Sequence, residues 1–215
     1  MFPIDMRRKR DQKGNALIEL AAVSIVIIPL FFGTVGIGIN LGHMNQAVQI
    51  SRDTGHMYAK GVDFSQASNQ SVVVNLAVGT GITANGGNGV VILSQIIQVY
   101  QADCQAAGYS NGQCTNLGQL VFTNRIDIGN SSLRNSNYGT PSSGIVNSSG
   151  NIAAADYLTN ASAVVTGSFN SELTAAGLTL SDGAVAYLTE LYLSTPDISY
   201  LGTVGSGGVY AKAVF

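Results

Sequence analysis

Charged side chains are scarce in this chain. Asp, Glu, Lys and Arg together make up 10% of its 215 residues, well below the roughly 25% of an ordinary soluble protein. Half of the Lys and Arg residues fall before Gly14, so the remainder of the chain is acidic overall. A nucleic-acid-binding surface needs a basic face. The composition therefore argues against a nucleic acid as partner.

Cysteine and histidine are also rare, with two residues of each. Cys104 and Cys114 enclose a short Gly- and Asn-containing stretch, and an even pair of this kind is typical of a disulfide in an oxidising compartment. Two free buried thiols are the alternative. Two cysteines fill only half of a tetrahedral zinc shell, and His43 and His56 do not have a metal-ligand spacing. We expect a Cys104–Cys114 bridge, no metal site and no cofactor.

No catalytic grouping stands out in the sequence. A Gly-x-Ser-x-Gly nucleophile elbow is missing. Asp182 and Glu190 flank the start of a predicted strand, but nothing in the sequence pairs them for acid–base work. The glycines around Asn85 lack the Lys that completes a phosphate-binding loop. We therefore predict that the protein is not an enzyme.

A long apolar run is the main feature that is present. From Ala16 to Leu41 the only ionisable side chain is Glu19, and about 20 apolar residues suffice for a transmembrane helix. Basic residues flanking a span stay in the cytoplasm. The sequence therefore predicts a single-pass inner-membrane protein with a cytoplasmic N-terminus and an extracytoplasmic head. The basic residues of the leader are Arg7, Arg8, Lys9, Arg10 and Lys13.

Glu19 stands at the head of this apolar run. A carboxylate near hydrocarbon is costly, and such residues often serve a function. The local explanation is that a Glu near a helix N-terminus faces the positive end of the helix dipole and can sit at headgroup depth. A second explanation depends on the residues around it.

A short basic leader, Gly14, and Glu19 five residues later at the head of an apolar helix resemble the processing site of type IV prepilins. The resemblance implies that a prepilin peptidase cuts between Gly14 and Asn15. It also implies that Glu19 is an assembly carboxylate, which meets the new α-amine of a neighbouring subunit. An uncleaved signal anchor is the alternative for the same segment.

The sequence beyond the span resembles TadE-like pseudopilins of the tight-adherence (type IVc) pilus system. It differs from their pattern at Ser51 and at His56-Met57, so TadF- and TadG-like subtypes stay open. The resemblance implies a minor pilin or pseudopilin whose partners are a prepilin peptidase, an assembly ATPase with its inner-membrane platform, and other pilins. The residues that carry it are Pro29, Phe31-Phe32-Gly33, Asn45-Gln46-Ala47, Arg52-Asp53-Thr54-Gly55 and Tyr58-Ala59.

We divide the chain into a leader at 1–14, a transmembrane and juxtamembrane helix at 15–62, and a head at 63–215. The helix is expected to end near Lys60, before Gly61, and a second helix to follow Asp63 as its N-cap. Helical spacing predicts that an apolar stripe beyond the membrane covers one face of a sheet. Its members are Leu41, Met44, Val48, Gly55, Tyr58 and Val62.

The head is predicted to be α+β, with an antiparallel sheet of about four strands. Alternation in the second strand places Leu120, Phe122, Ile126 and Ile128 on one face, opposite Thr123, Arg125 and Asp127. The cysteine loop then joins the first two strands as a hairpin. A helix is expected at 152–165, and the rest of 129–180 as irregular surface. The predicted strands are Val90–Tyr100, Leu120–Ile128, Ala184–Leu193 and Val209–Phe215.

Taken together, these patterns favour a structural subunit of a Tad-type pilus that serves surface attachment. Two other classes remain. One is a membrane-anchored adhesive or ligand-binding module, whose Ser- and Asn-rich region at 129–180 would form the binding surface. The other is an extracytoplasmic enzyme on an uncleaved anchor, which the missing catalytic grouping disfavours.

Overall fold

The computed structural model describes residues 8–110, 112–194 and 208–215. It is α+β, with one long N-terminal helix and a head built on a four-stranded antiparallel sheet. Met1 to Arg7, the first half of the predicted leader, lie outside the described residues. The helices are α1 (Arg8–Ala59), α2 (Ala67–Leu76), α3 (Gln101–Ala106), α4 (Ala154–Thr159) and α5 (Phe169–Ala175). The strands are β1 (Ile82–Thr83), β2 (Gly86–Gly87), β3 (Gly89–Gln98), β4 (Leu120–Gly129), β5 (Val185–Leu193) and β6 (Val209–Val214).

Helix α1 is 52 residues long and ends, as predicted, just before Gly61, which has a φ of 86°. It begins earlier than the expected Asn15, because the Arg, Lys and Gln residues of the leader are good helix formers. Its residues up to Gly42 belong to one compact unit, and those from His43 onward belong to the unit that contains the sheet.

The sheet confirms the four predicted strands to within about two residues at each end. Its strand order is β4-β3-β5-β6, and every neighbouring pair is antiparallel. Strands β3 and β4 pair as the predicted hairpin around the cysteine loop, with Val91 opposite Ile128. Strand β3 lies between β4 and β5, and most of its residues are buried on both faces of the sheet. A strand in this position is expected to be rich in β-branched and apolar residues, as β3 is.

Residues of α1 beyond His43 cover one face of the sheet, as expected. The predicted stripe is confirmed at Gly55, Tyr58 and Val62, but the buried positions before Gly55 have another register. Ala47, Ile50 and Tyr58 are at most 3% exposed and pack with β3 residues such as Val91 and Leu93. The expected stripe residues Met44 and Val48 are instead 52% and 37% exposed, and Leu41 is 57% exposed. The more polar positions Ser51 and Thr54 are buried with Gly55, because small side chains let the helix approach the sheet closely.

A β-bulge in the β3–β4 pair overturns the predicted alternation of β4. Gln95 pairs with Asn124, but the next residue, Ile96, pairs with Phe122, so Thr123 is the extra residue. An extra residue reverses the alternation beyond it. Phe122 therefore packs on the face opposite to Ile126 and Ile128.

The far face of the sheet has a core of its own, which corrects the expectation of irregular surface at 129–180. Phe169 and Leu173 of α5 are 1% and 5% exposed and pack against Phe122 and Leu188. The expected helix at 152–165 is shorter than predicted, comprising α4 and a 3-10 turn at Ala161–Ala163. Tyr138 completes this layer with an edge-to-face contact on Phe169.

Helix α2 follows a turn at Asp63, which is not its N-cap. The N-cap position is held by Gln66, while an oxygen of Asp63 accepts a hydrogen bond from the Ser65 backbone N–H at 2.9 Å. Hydrogen bonds from the side chain and backbone of Ser65 hold the pKa of Asp63 below its ordinary value. The turn reverses the chain, so that α2 packs Val73 into the core that α1 also lines.

Candidate functional site

The apolar part of α1 exposes its side chains all round. Leu17, Ile25 and Phe31 are 69%, 74% and 61% exposed. The most apolar window of this helix has a mean hydropathy of 2.4, and none of it is buried. By length and composition α1 is able to cross a membrane. Within the described residues it is the one helix that meets this condition.

Gly14 and Asn15 lie inside the helical segment, not in an extended chain. A peptidase needs access to an unwound backbone, so cleavage between them requires the helix to open locally. Gly14 weakens the helix at that point, because a helical Gly costs about 1 kcal/mol relative to Ala. The predicted cut thus falls beside a residue that weakens the helix locally.

Asn15 and Glu19 are both exposed and are separated by four residues, so they lie on the same face of α1. If the chain began at Asn15, its α-amine and the Glu19 carboxylate would lie on one helix face, open to a neighbouring helix. The geometry allows the assembly role and also the helix-dipole role. Both remain predictions.

The predicted disulfide is present. Cys104 and Cys114 are joined, with their Cα atoms 6.0 Å apart. Cys104 lies in α3, and the bridge packs with Val99, Val121 and Leu158 in a small core at one end of the sheet. Asn116, 3% exposed, ties the loop to the segment around α4 by donating from its Nδ2 to the carbonyls of Tyr157 and Asn160 at 2.9 Å each.

Gly55 marks the closest approach of α1 to the sheet. A Cβ placed on it would lie 2.3 Å from Cε2 of Phe215 and 2.9 Å from Oγ1 of Thr189. The same region holds the ring contact of His56 with Phe215, whose centroids are 4.3 Å apart. One turn further on, the Tyr58 hydroxyl donates to Oδ1 of Asn124 at 2.6 Å, and burial raises the pKa of Tyr58. The segment from Gly55 to Tyr58 is therefore where α1 contacts the sheet most closely.

Two charged residues, Glu190 and Arg125, are buried on the far face of the sheet, which the sequence did not lead us to expect. Glu190 is 1% exposed and accepts hydrogen bonds from the Ser136 hydroxyl, from the Asn137 backbone N–H at 3.0 Å and from the Tyr210 hydroxyl at 2.7 Å. Lys212, opposite it in β6, forms an ion pair with Glu172 at 2.5 Å. The signal in the sequence was a single charged residue in each of two largely apolar strands, Glu190 in β5 and Lys212 in β6.

Arg125 belongs to the same layer. It is 6% exposed and donates to Oγ of Ser94 at 2.6 Å and to the carbonyl of Gly139 at 3.0 Å. Burial lowers its pKa, although the nearby charges of Asp127 and Glu190 oppose that shift. Both Arg125 and Glu190 hold the segment at 136–139 against the sheet. Their hydrogen bonds to this segment fasten the loop to the sheet.

A polar cleft of about 360 Å³ opens beside the Tyr58–Asn124 hydrogen bond. Its lining includes Gln66, Gln95 and Asn151, together with Asp63. Such a cleft offers hydrogen-bond donors and acceptors without a cation. Asp182 does not line it, and in the part of the chain that the structure describes no three metal-ligating side chains gather at one place.

Comparison with known proteins gives no match to a family model, to a curated protein or to a solved structure.

Proposed function

We propose that this protein is a membrane-anchored, pilin-like subunit, which assembles through its N-terminal helix into a Tad-type type IV pilus. The observation that carries the proposal is that a basic leader, Gly14 and Glu19 directly precede the exposed apolar surface of α1. A surface of this kind needs either lipid or neighbouring helices around it, and a pilin subunit uses both in turn.

The proposal implies an order of events. The basic leader keeps the N-terminus in the cytoplasm, a prepilin peptidase removes residues 1–14, and the head folds outside the inner membrane, where its disulfide forms. Subunits are then drawn from the membrane by an assembly ATPase and its platform, with Glu19 meeting the α-amine of a neighbouring Asn15. The head is large for a major pilin, so a minor or pseudopilin position suits it.

The test is the N-terminus of the mature protein. Full-length protein is purified from membranes of its native host, and from a host with and without a co-expressed prepilin peptidase, and the N-terminus is sequenced. We expect the chain to start at Asn15 only when the peptidase is present, and a Gly14→Leu variant to remain uncut. A mature chain that starts at Met1, or beyond Gly33, would remove the pilin assignment.

A ligand-binding head on a membrane anchor is the second candidate, and the amide-lined cleft favours it. Asn and Gln residues beside the Asp63 carboxylate, with no cationic residue in the lining, suit a hydroxyl-rich ligand such as a glycan. A glycan array probed with the full chain in detergent tests this, with Gln66→Ala and Asn151→Ala as cleft variants. Binding that these variants abolish would support the candidate, whereas an array without a specific signal would dismiss it.

A further inference from the structure

Helix α2 leaves apolar side chains uncovered at its C-terminal end. Val73 and Ala77 are 0% and 1% exposed, whereas Val72, Leu76 and Val78 are 42%, 39% and 71% exposed. Residues four apart share a helix face, so Val72 and Leu76 form a second apolar face beside the buried one. Solvent-exposed residues on a small helix are usually polar. An exposed apolar face of this kind indicates a surface that contacts another protein or a membrane.

A hydrogen bond ties this exposed face to the first residues of α1 that belong to the same unit as the sheet. The Gln46 side chain donates from Nε2 to the carbonyl of Val78 at 3.1 Å. Gln46 follows Leu41, the last residue of the apolar run, by five residues, and five residues span at most about 18 Å even when fully extended. Val78 is therefore held close to where the membrane-spanning candidate ends.

The chemistry of the surrounding chain suits a neutral, partly apolar environment. From Phe64 to Ala102 the sequence contains no acidic, basic or histidine residue. Moving such a segment to the lipid headgroup region buries apolar surface and desolvates no charge. Because basic residues are missing there, attraction to anionic lipids does not contribute.

We propose that residues 72–80, the second half of α2 and the loop after it, contact the headgroup region of the bilayer that α1 crosses. The head then has two points of attachment to the membrane, the covalent one through α1 and this apolar one. The proposal rests on the proposed function in one respect, since it requires α1 to be inserted. Extraction of the subunit into a filament has to break the second contact as well.

The chain contains no tryptophan, so a single introduced Trp reports its own surroundings. Val78→Trp, Phe31→Trp and Leu117→Trp are each made in the full chain and reconstituted into zwitterionic liposomes at low protein-to-lipid ratio. Two brominated lipids are compared, one brominated near the headgroup end of its acyl chains and one near their middle, and each quenches a Trp that lies at its depth.

Leu117→Trp is the matched control in the head. Leu117 is 46% exposed and lies on the cysteine loop. The start of β3 lies near His43, which follows the apolar run of α1: His43, Asn88 and Leu193 line the same small cavity. The cysteine loop is at the other end of this ten-residue strand, about 30 Å away at the usual rise per residue.

We expect Phe31→Trp and Val78→Trp to lose fluorescence in brominated lipid and Leu117→Trp to keep it, with no change when anionic lipid or salt is added. Quenching of Phe31→Trp alone would overturn the second contact and leave the membrane anchor standing. A blue-shifted Val78→Trp emission without bromine quenching would mean that protein covers the patch, which also overturns the proposal. Failure to quench Phe31→Trp would instead refute the membrane span itself.

Discussion

Replacing Gly55 by Ala tests how closely α1 approaches the sheet. In an unobstructed helix this change stabilises by roughly 0.5–1 kcal/mol, because Gly has more conformational freedom to lose on folding. Here the new Cβ would stand 2.3 Å from the Phe215 ring and 2.9 Å from Thr189 Oγ1. Overpacking of this kind costs typically 1–3 kcal/mol. We expect a net loss of about 1–2 kcal/mol in the free energy of unfolding.

Thr189 decides the sign of this effect more than Phe215 does. The Phe215 ring can turn aside, at the cost of its contact with His56, whereas Thr189 is completely buried in β5. Its hydroxyl has no hydrogen-bond partner among the described residues, and neither has that of Thr54 on the facing helix. The contact between α1 and β5 around Gly55 is therefore tightly packed, and it has no room for an added methyl group.

The assay is urea unfolding of the full chain in mild detergent, followed by the near-ultraviolet circular dichroism of its tyrosines. Gly42→Ala is the matched control, since Gly42 lies in the same helix and nothing described stands within 4 Å of its added Cβ. A double mutant with Phe215→Ala should show a coupling energy of about 0.5–3 kcal/mol. If Gly55→Ala were as stable as Gly42→Ala or more so, the close approach would be refuted.

Three further predictions concern other parts of the chain. Glu19→Gln should leave insertion and leader cleavage intact but lower recovery with partner pilins in a sheared-filament assay, because breaking a buried ion pair costs about 3–5 kcal/mol; equal recovery at equal membrane levels would favour the helix-dipole role. Replacing both Cys104 and Cys114 by Ser should lower the free energy of unfolding by roughly 2–3 kcal/mol, and an unchanged urea midpoint would contradict this. Tyr58→Phe should destabilise the head by about 1–3 kcal/mol near neutral pH, because the buried Asn124 oxygen loses its donor. Since the pKa of Tyr58 is raised above 10.0 in the fold, the advantage of wild type over this variant should shrink as pH rises above 10, by up to about 1.4 kcal/mol per pH unit; an advantage independent of pH would show that Tyr58 is not buried.

Much of the architecture could be predicted because local sequence patterns determine where α1 and the four main strands begin and end. The apolar run and the Gly61 stop define α1, and alternation together with β-branched residues defines the strands. What alternation cannot reveal is a bulge, since one extra residue at Thr123 changes no local preference yet turns Phe122 to the other face. The second core was missed for the same reason: Phe169 and Leu173 are isolated apolar residues in a Ser- and Asn-rich region, and only long-range packing makes them core.

The candidate site divides in the same way. The disulfide could be predicted from an even cysteine count, and it is confirmed. The register of α1 could not be, because Met44 and Val48 are more apolar than Ala47 and Ser51, yet close packing selects the smaller residues. Cleavage at Gly14 and the role of Glu19 depend on partners outside this chain, so they stay predictions.

The contact between Gly55 and Phe215 has a consequence for how the protein is made. Synthesis delivers α1 first, yet Thr189 and Phe215, the groups that close over its Gly55 position, arrive almost the whole length of the head later. Strand β3 likewise cannot complete its pairing until β5 has been synthesised, because the two strands are far apart in the sequence. Such non-local pairing is slow and leaves apolar strands uncovered in the meantime. The nascent head is therefore most exposed to aggregation and proteolysis just before β6 emerges, and chains truncated within β6 should be lost from the cell.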